Sequence, residues 1–397
     1  NILSWHNYKV TREYYYNDAG NQMQILAESC YAKYAKKIGK EFEAPDNAYV
    51  GEYLDEIADK ILKKFGKELN KKDEQFRIFT EQQIFDNIQS TLNNLNVVFD
   101  VFSKEKSFYD DGSINQVLEK LLKLSLSYEK DGATWFKTTK LGKKEDKVLV
   151  KSSGEPTYRL PDIAYHIDKV ERGFDLIVDV FGADHIDSYP DVLLALDALG
   201  IPTNHIKVVI HQFVTLKKDN QIVKMSTRKA NFVTLDELIE KLNSDVIRYF
   251  FIMRGTNTHL DFDLDLAMDE SEKNPVYYLQ YAHARISNLL KRFNKEIKGK
   301  NKTNLSLLKE NDEIALIKKL SDFPTKMNQI HESLEPKQLA TYLEDLAAHY
   351  HKFYGNHKVI NQNNIDLSSA RIKLCEATQI ILKTGLSILG IQAPEKM

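Results

Sequence analysis

LIVDVFGADH (176–185) decides the reading of the fold. Leu176 to Phe181 is short, largely apolar and halted by Gly182, the pattern of a buried strand, and Asp184 and His185 stand just past its end. Working outward, Val10–Tyr16 is β-branched and aromatic and ends in the turn-prone Asn17-Asp18-Ala19-Gly20. Val208–Thr215 reads as a third strand, with a hairpin turn at Lys217-Lys218-Asp219-Asn220. Between these runs the period changes. Met23, Leu26, Cys30, Tyr34 and Ile38 recur at threes and fours, and so do Leu54, Ile57, Ile61 and Phe65, each set being one apolar helix face. Strands alternating with helices predict an α/β fold around a parallel sheet, whose ligands bind beyond the carboxyl ends of the strands. The loops after Tyr16, Phe181 and Val223 are therefore where chemistry should be sought.

Past Asn274-Pro275 the strand signals fade. Leu339, Leu343, Leu346, Tyr350 and Phe353 form one helical stripe, with Pro336 suited to its first turn, and Ile372, Cys375, Leu382, Leu386 and Leu389 form another. The expected division is an α/β domain over residues 1–275 and an all-α bundle of about four helices over 276–397, with Lys298–Lys302 and Asn361–Asn364 as loops. From Tyr277 on there are 18 Lys and Arg against 12 Asp and Glu, and before it 37 against 45. A basic helical third beside an acidic larger part is a hint of nucleic-acid contact. With 42% hydrophobic and 28% charged residues, the chain is excluded from collagen-like, disordered and disulfide-scaffold classes. Two cysteines, Cys30 and Cys375, fit a reducing compartment, and no apolar run approaches a membrane span, so a cytoplasmic protein with no membrane contact is expected.

There is no Gly-rich dinucleotide fingerprint, Walker-type loop, His-Glu-x-x-His or Cys-x-x-Cys. The alternative means of holding phosphates is Lys224-Met225-Ser226-Thr227-Arg228-Lys229, three cations and two hydroxyls just after a hairpin at the rim of the sheet. Cations there can clamp charge developing on a polyphosphate, although the same six residues suit a solvated basic loop. Asp184, at a strand end, can accept from a ribose or an amino group, or simply cap a helix. Tyr158 and Asp162 are four apart, and Pro161 between them predicts a loop or turn rather than an unbroken helix. Glu105, taken alone, looks like a surface charge. Asp261, Asp263, Asp265 and Glu272 mimic a calcium loop, but Leu266 stands where the turn needs Gly, which favours a strand edge or helix lead-in. His349 and His351 do not face together on a helix, so they form no metal cluster with His357.

In order, VTREYYYNDAGNQ (10–22), DIAYHIDKVERGFD (162–175), FGADH (181–185), HQFV (211–214), KMSTRKANFVTL (224–235), DVIRYFF (245–251), DFDLDLA (261–267), NPVYYLQYAHARI (274–286) and LATYLEDLAAHYHKFY (339–354) resemble the class I aminoacyl-tRNA synthetases, specifically the arginyl enzymes. The resemblance spans almost the whole chain. It implies a Rossmann-like catalytic domain followed by a helical anticodon-binding domain. It also implies arginine activation by ATP, with Mg2+ accompanying the nucleotide and no metal held by the protein itself. The arginyl group then passes to tRNA(Arg), arginyl enzymes needing bound tRNA for the first step. A monomer is expected.

The resemblance also assigns roles. Lys224, Met225 and Ser226 match the Lys-Met-Ser-Lys-Ser loop that closes on ATP. Thr227 replaces its second lysine, Arg228 or Lys229 are the cations available to compensate, and Ala230 stands where many relatives carry Gly. Glu105, Tyr158 and Asp162 match positions that hold arginine, and a guanidinium with five fixed donors wants such oxygens around it. Asp184 and His185 would line the same cleft near arginine or the ribose, and Gln212 would join Lys224, Asp184 and His185 on ATP. The family's His-Ile-Gly-His signature and its N-terminal tRNA-contacting domain have no counterpart here, which leads us to expect a preceding segment in the full polypeptide. A truncated, non-catalytic tRNA-binding form and a class I synthetase for another amino acid are the competing readings.

Overall fold

The computed structural model describes residues 1–223, 233–297 and 303–397. The basic run from Lys224 to Ala230 and the loop Lys298–Lys302 lie outside them. A short helix α1 (Ile2–Trp5) precedes strand β1 (Glu13–Tyr16). Helices α2 (Asn21–Lys37), α3 (Glu52–Phe65) and α4 (Glu74–Asn94) then close on a small core of their own, in which Leu26, Cys30 and Tyr34 meet Leu54, Ile61 and Phe76. This is the partner surface that the threes-and-fours spacing of the first two helices calls for. The chain returns as β2 (Val101–Lys104), parallel to β1 with Tyr16 opposite Lys104.

Helices α5 (Glu105–Asp110) and α6 (Ser113–Lys123) lead to an antiparallel sheet of β3 (Ser127–Lys130), β4 (Ala133–Phe136) and β5 (Lys147–Val150). After helix α7 (Arg159–Glu171), strand β6 (Ile177–Gly182), helix α8 (Tyr189–Ala198) and strand β7 (Ile206–His211) form a β-α-β unit, β6 and β7 being parallel with Gly182 opposite His211. Leu121, Phe136, Leu149, Leu160, Ile163 and Leu196 fill the core between these layers. The run 208–215 is not one strand. It divides into β7 and β8 (Val214–Lys218), because the Gln212 N–H leaves the ladder to donate to the Thr256 carbonyl at 3.0 Å. Strand β9 (Gln221–Ile222) pairs back on β8, and the tight turn falls on Asp219 and Asn220 alone, both at positive φ (50° and 58°).

Helices α9 (Leu235–Lys241) and α10 (Ser244–Ile252) precede strand β10 (Leu260–Asp263), which lies parallel to β8, and helix α11 (Leu264–Met268). The acids of this stretch have separate duties. Asp261 pairs with Lys217 at 2.6 Å, and Asp263 caps α11 by accepting from the N–H groups of Asp265 and Leu266. The helical part contains five helices among the described residues rather than about four: α12 (Pro275–Glu296), α13 (Asn311–Ser321), α14 (Phe323–Ser333), α15 (Lys337–Asn356) and α16 (Ile365–Leu389). Pro336 sits at the N-cap of α15 rather than inside its first turn. One continuous core joins Tyr249, Phe250 and Phe262 to Leu279, Leu343 and Leu386, so the helices are fused to the α/β part through buried apolar surface.

Arg248 closes that join. Its guanidinium donates to the Leu389 carbonyl at the end of α16 (3.0 and 3.2 Å) and to the Leu95 carbonyl after α4 (2.7 Å). Gly390 ends α16 at φ 72°, directly under this group, and a Cβ there would lie 2.4 Å from Arg248 Nη2. Gly390→Ala should therefore cost about 2 kcal/mol, from the left-handed backbone and the displaced guanidinium together. Gly355→Ala in α15, with nothing within 4 Å of the added methyl, should cost nothing. Thermal unfolding midpoints of the two variants check this, and equal midpoints would contradict it.

Candidate active site

β1 and β2 run side by side and end level, so the residues after each face one cleft of about 640 Å3. Asp18 and Gly20 come from the end of β1, Glu105 and Lys106 from the end of β2, Tyr109 from α5, and Glu74 and Arg77 from α4. Lys151, Glu155 and Tyr158 also line the cleft.

The carboxylates there are not equivalent. Asp18 is buried and already engaged, accepting from the Lys106 N–H at 2.8 Å with Lys104 Nζ 3.8 Å from its other oxygen. Glu105 has only a long contact from Tyr109 Oη (3.5 Å) among the described residues. Burial, with the charges of Asp162 and Asp18, pushes its pKa up to about 7. Asp162 is likewise held above the usual carboxylate range by burial, while His166, His185 and Lys169 draw it back. The Tyr15 hydroxyl is buried with no hydrogen-bond partner among the described residues, and burial and the charges of Glu105 and Asp162 hold it firmly protonated. Two under-satisfied carboxyls and two phenols around one cleft make a receptor for a planar polydentate cation.

Glu105 and Tyr158 thus line the cleft directly, whereas Asp162 is not among its lining residues and acts on Glu105 through its charge. Pro161 does not break the helix as its sequence context predicted. It falls in the first turn of α7, where no intrahelical N–H is required, so Tyr158 is the N-cap and its carbonyl accepts from the Asp162 N–H at 3.2 Å. Tyr158 is 56% exposed, and its ring lies 5.2 Å from the Arg159 guanidinium. Beyond β6, His185 sits in a 3-10 turn (Ala183–His185) and stacks on Phe181 at 5.0 Å. Asp184 is exposed and folds over Gly182, where a Cβ would stand 2.7 Å from its Oδ1. Gln212 follows the neighbouring strand and is half-buried. Lys224, Met225, Ser226, Thr227 and Arg228 lie outside the described residues. Sequence reasoning passed over Tyr15, Asp18 and Tyr109, whose side chains have no local pattern. It also passed over Lys169, although Asp162, His166 and Lys169 stand at i, i+4 and i+7 on α7, a readable polar stripe.

A second cleft of about 280 Å3 opens on the helical part, lined by Tyr281, Arg285, Arg292, Tyr354 and Met397. Its Arg285 guanidinium lies over both Tyr281 (4.7 Å) and Tyr354 (4.9 Å). No group of three or more His, Cys, Asp or Glu among the described residues is placed to hold a metal ion, and no described helix is long and apolar enough to cross a membrane.

Residues 1–248 match the family described as tRNA synthetases class I (R), catalytic domain, and residues 279–397 match the DALR anticodon binding domain. An arginine–tRNA ligase of Salinibacter ruber is 47% identical over all of this chain, which covers 74% of that relative. One from Chlorobaculum tepidum is 48% identical, with the same coverage of both chains. The chain belongs to the arginyl-tRNA synthetase family. A solved Campylobacter jejuni structure described as an arginyl-tRNA synthetase superposes with a TM-score of 0.87 at 29% identity, covering all of this chain and 87% of that one. The class I catalytic domain with its parallel strands, and the all-helical anticodon-binding domain, are those of this family.

A carboxyl poised near neutrality leaves a signature in stability. The folded value for Glu105 stands above its ordinary 4.5, so the contribution of its protonated form is full below that value and lost as pH rises through about 7. Glu105→Gln should therefore raise the unfolding midpoint of the ligand-free protein at about pH 8 and leave it unchanged at about pH 4. A difference independent of pH would show that Glu105 is not held in this way.

Proposed function

We propose that this chain works as an arginine–tRNA ligase whose amino acid is bound in the acidic cleft at the ends of β1 and β2. The observation that carries the site assignment is Glu105, a partly buried carboxyl lining the cleft with only a long contact from Tyr109 among the described residues, its pKa raised by burial and by the charges of Asp162 and Asp18. A guanidinium entering there supplies the missing donors and charge, and Glu105 gives up its proton as it binds. Tyr158 lines the same cleft as Glu105. Asp184, His185 and Gln212, past the ends of β6 and β7, take the nucleotide side, ahead of the cations at Lys224 and Arg228. Arginine's carboxylate oxygen attacks the α-phosphorus of ATP and pyrophosphate leaves. The terminal ribose hydroxyl of tRNA then attacks the resulting mixed anhydride, releasing AMP. Magnesium enters with the nucleotide, held chiefly by its phosphates. The catalytic part extends to about residue 275 and the helices beyond it engage tRNA(Arg). Tyr281, Tyr354 and Arg285 there offer ring and guanidinium faces on which unstacked bases can rest. The protein acts as a monomer.

ATP–pyrophosphate exchange by the full chain should proceed with arginine alone of the twenty amino acids, and only with tRNA present. Asp162→Asn should raise KM for arginine by ~10-fold or more while moving KM for ATP little, as expected for one lost hydrogen bond to a charged group. Equal effects on both would remove Asp162 from the amino-acid site, and exchange with another amino acid would overturn the substrate.

A further inference from the structure

Arg159 opens α7 at a position that disfavours a cation, because the first turn of a helix carries the positive end of its dipole. It is held there from outside the helix. Its Nε donates to Asp191 Oδ2 on α8 at 3.0 Å, and Asp191 is itself only 1% exposed, with Lys143 Nζ 3.5 Å from its other oxygen. Thus anchored, the guanidinium lies 5.2 Å from the centre of the Tyr158 ring, within the range of a cation–π contact. The backbone at Tyr158 is fixed through its neighbour. Thr157 donates its N–H to the Leu149 carbonyl at 2.7 Å and its hydroxyl to the Val148 carbonyl at 2.8 Å, both on β5. What β5 does not fix is the Tyr158 side chain, which is more than half exposed and lines the cleft with Glu105. An exposed ring of this kind needs a face to rest on if it is to keep one orientation.

We propose that Arg159 is a positioning residue for amino-acid capture, a guanidinium clamped by Asp191 that steadies the Tyr158 ring so that its phenol is presented to the cleft. The proposal rests on the arginine-cleft reading above, in which Tyr158 touches the substrate. A phenol oxygen accepts from a guanidinium N–H only while its ring is turned toward the ligand, and every other rotamer visited in the empty cleft costs affinity. Arginine suits this duty better than lysine, because its planar group donates in its own plane to Asp191 while offering a flat face to the ring. Asp191 belongs to α8, and Lys143 comes from the stretch between β4 and β5. The clamp therefore ties Tyr158 to elements beyond its own helix end.

The test uses the full chain, with KM for arginine and for ATP measured by exchange in the presence of tRNA. Arg159→Met should raise KM for arginine by ~3-fold and change KM for ATP by less than ~1.5-fold. In a Tyr158→Ala background, which has no ring to hold, the same substitution should leave KM for arginine unchanged. An equal rise in both backgrounds would overturn the proposal, because Arg159 would then be acting without Tyr158. Arg159→Met also leaves Asp191 short of a partner, and combining it with Asp191→Asn removes that buried charge and restores the fold if the single variant is unstable. If Arg159 positions Tyr158, the combined variant recovers its unfolding midpoint and keeps the raised KM for arginine. If Arg159 is only a tie to Asp191, the combined variant recovers both, and the proposal is overturned. It is overturned equally if Arg159→Met raises both KM values together. Tyr158→Ala with Arg159 intact separates the two levels. An unchanged KM for arginine there takes Tyr158 out of the amino-acid site, and the proposal with it, whereas a raised value there with a normal one in Arg159→Met removes only the role of Arg159.

Discussion

Glu13 is the carboxylate on which the geometry of the cleft depends. It accepts from Tyr165 Oη at 2.9 Å, from both terminal nitrogens of Arg172 at 2.7 and 3.1 Å, and from Ser103 Oγ. Those donors belong to the middle and the C-cap of α7 and to β2, so one side chain of β1 holds three elements in register. Asp18 after β1 and Glu105 after β2 line the cleft just beyond the tie, with Tyr15 of β1 and Asp162 of α7 near enough to be linked to Glu105 by charge. Stacking of Tyr15 on Tyr165 at 4.5 Å reinforces the same joint with apolar contact. The strong charge-assisted pairing of Glu13 also explains why this carboxyl falls below its usual range, while burial and neighbouring acids hold Glu105 and Asp162 above theirs. Binding capacity in the cleft comes from that contrast between satisfied and unsatisfied carboxylates.

The fusion of the helical part to the α/β part follows from the same economy. Arg248 spends its donors on carbonyls at the ends of two helices, groups that no intrahelical N–H can reach. Gln280 bridges the Asp245 carboxylate and the Gln392 carbonyl, binding α10, α12 and the C-terminal tail. Polar ties of this kind cost little because the groups would otherwise be buried without partners. They leave the apolar core to supply the bulk of the association.

Much of this architecture is legible in the sequence, because periodicity reports burial. The strand at 176–181, the helices at 23–38 and 54–65, and the stripes along α15 and α16 all follow from apolar spacing, since each needs one face against a core. The division of 208–215 is not visible, because it depends on Gln212 finding a carbonyl at Thr256, far along the chain. The helix through Pro161 is misread for a local reason: a proline excluded from a helix interior is welcome in a first turn, and only the position of the N-cap distinguishes the two. Glu105, Tyr158 and Asp162 become site candidates only through the family resemblance, Glu105 alone reading as a surface charge, and the parallel pairing of β1 with β2 that brings Glu105 to the cleft is recorded in no short window. Lys169 stands between. Its stripe with Asp162 and His166 can be read, but its burial cannot, because a lone lysine in a sequence is normally a solvated one.

The central claim is that Glu105 and Asp162 together receive the guanidinium group of arginine. A crystal structure of the full chain with arginine bound tests it most directly. The account places guanidinium nitrogens within about 3 Å of carboxylate oxygens of both residues, in the cleft at the ends of β1 and β2. Arginine density elsewhere, with both carboxylates left without a cation, would contradict it.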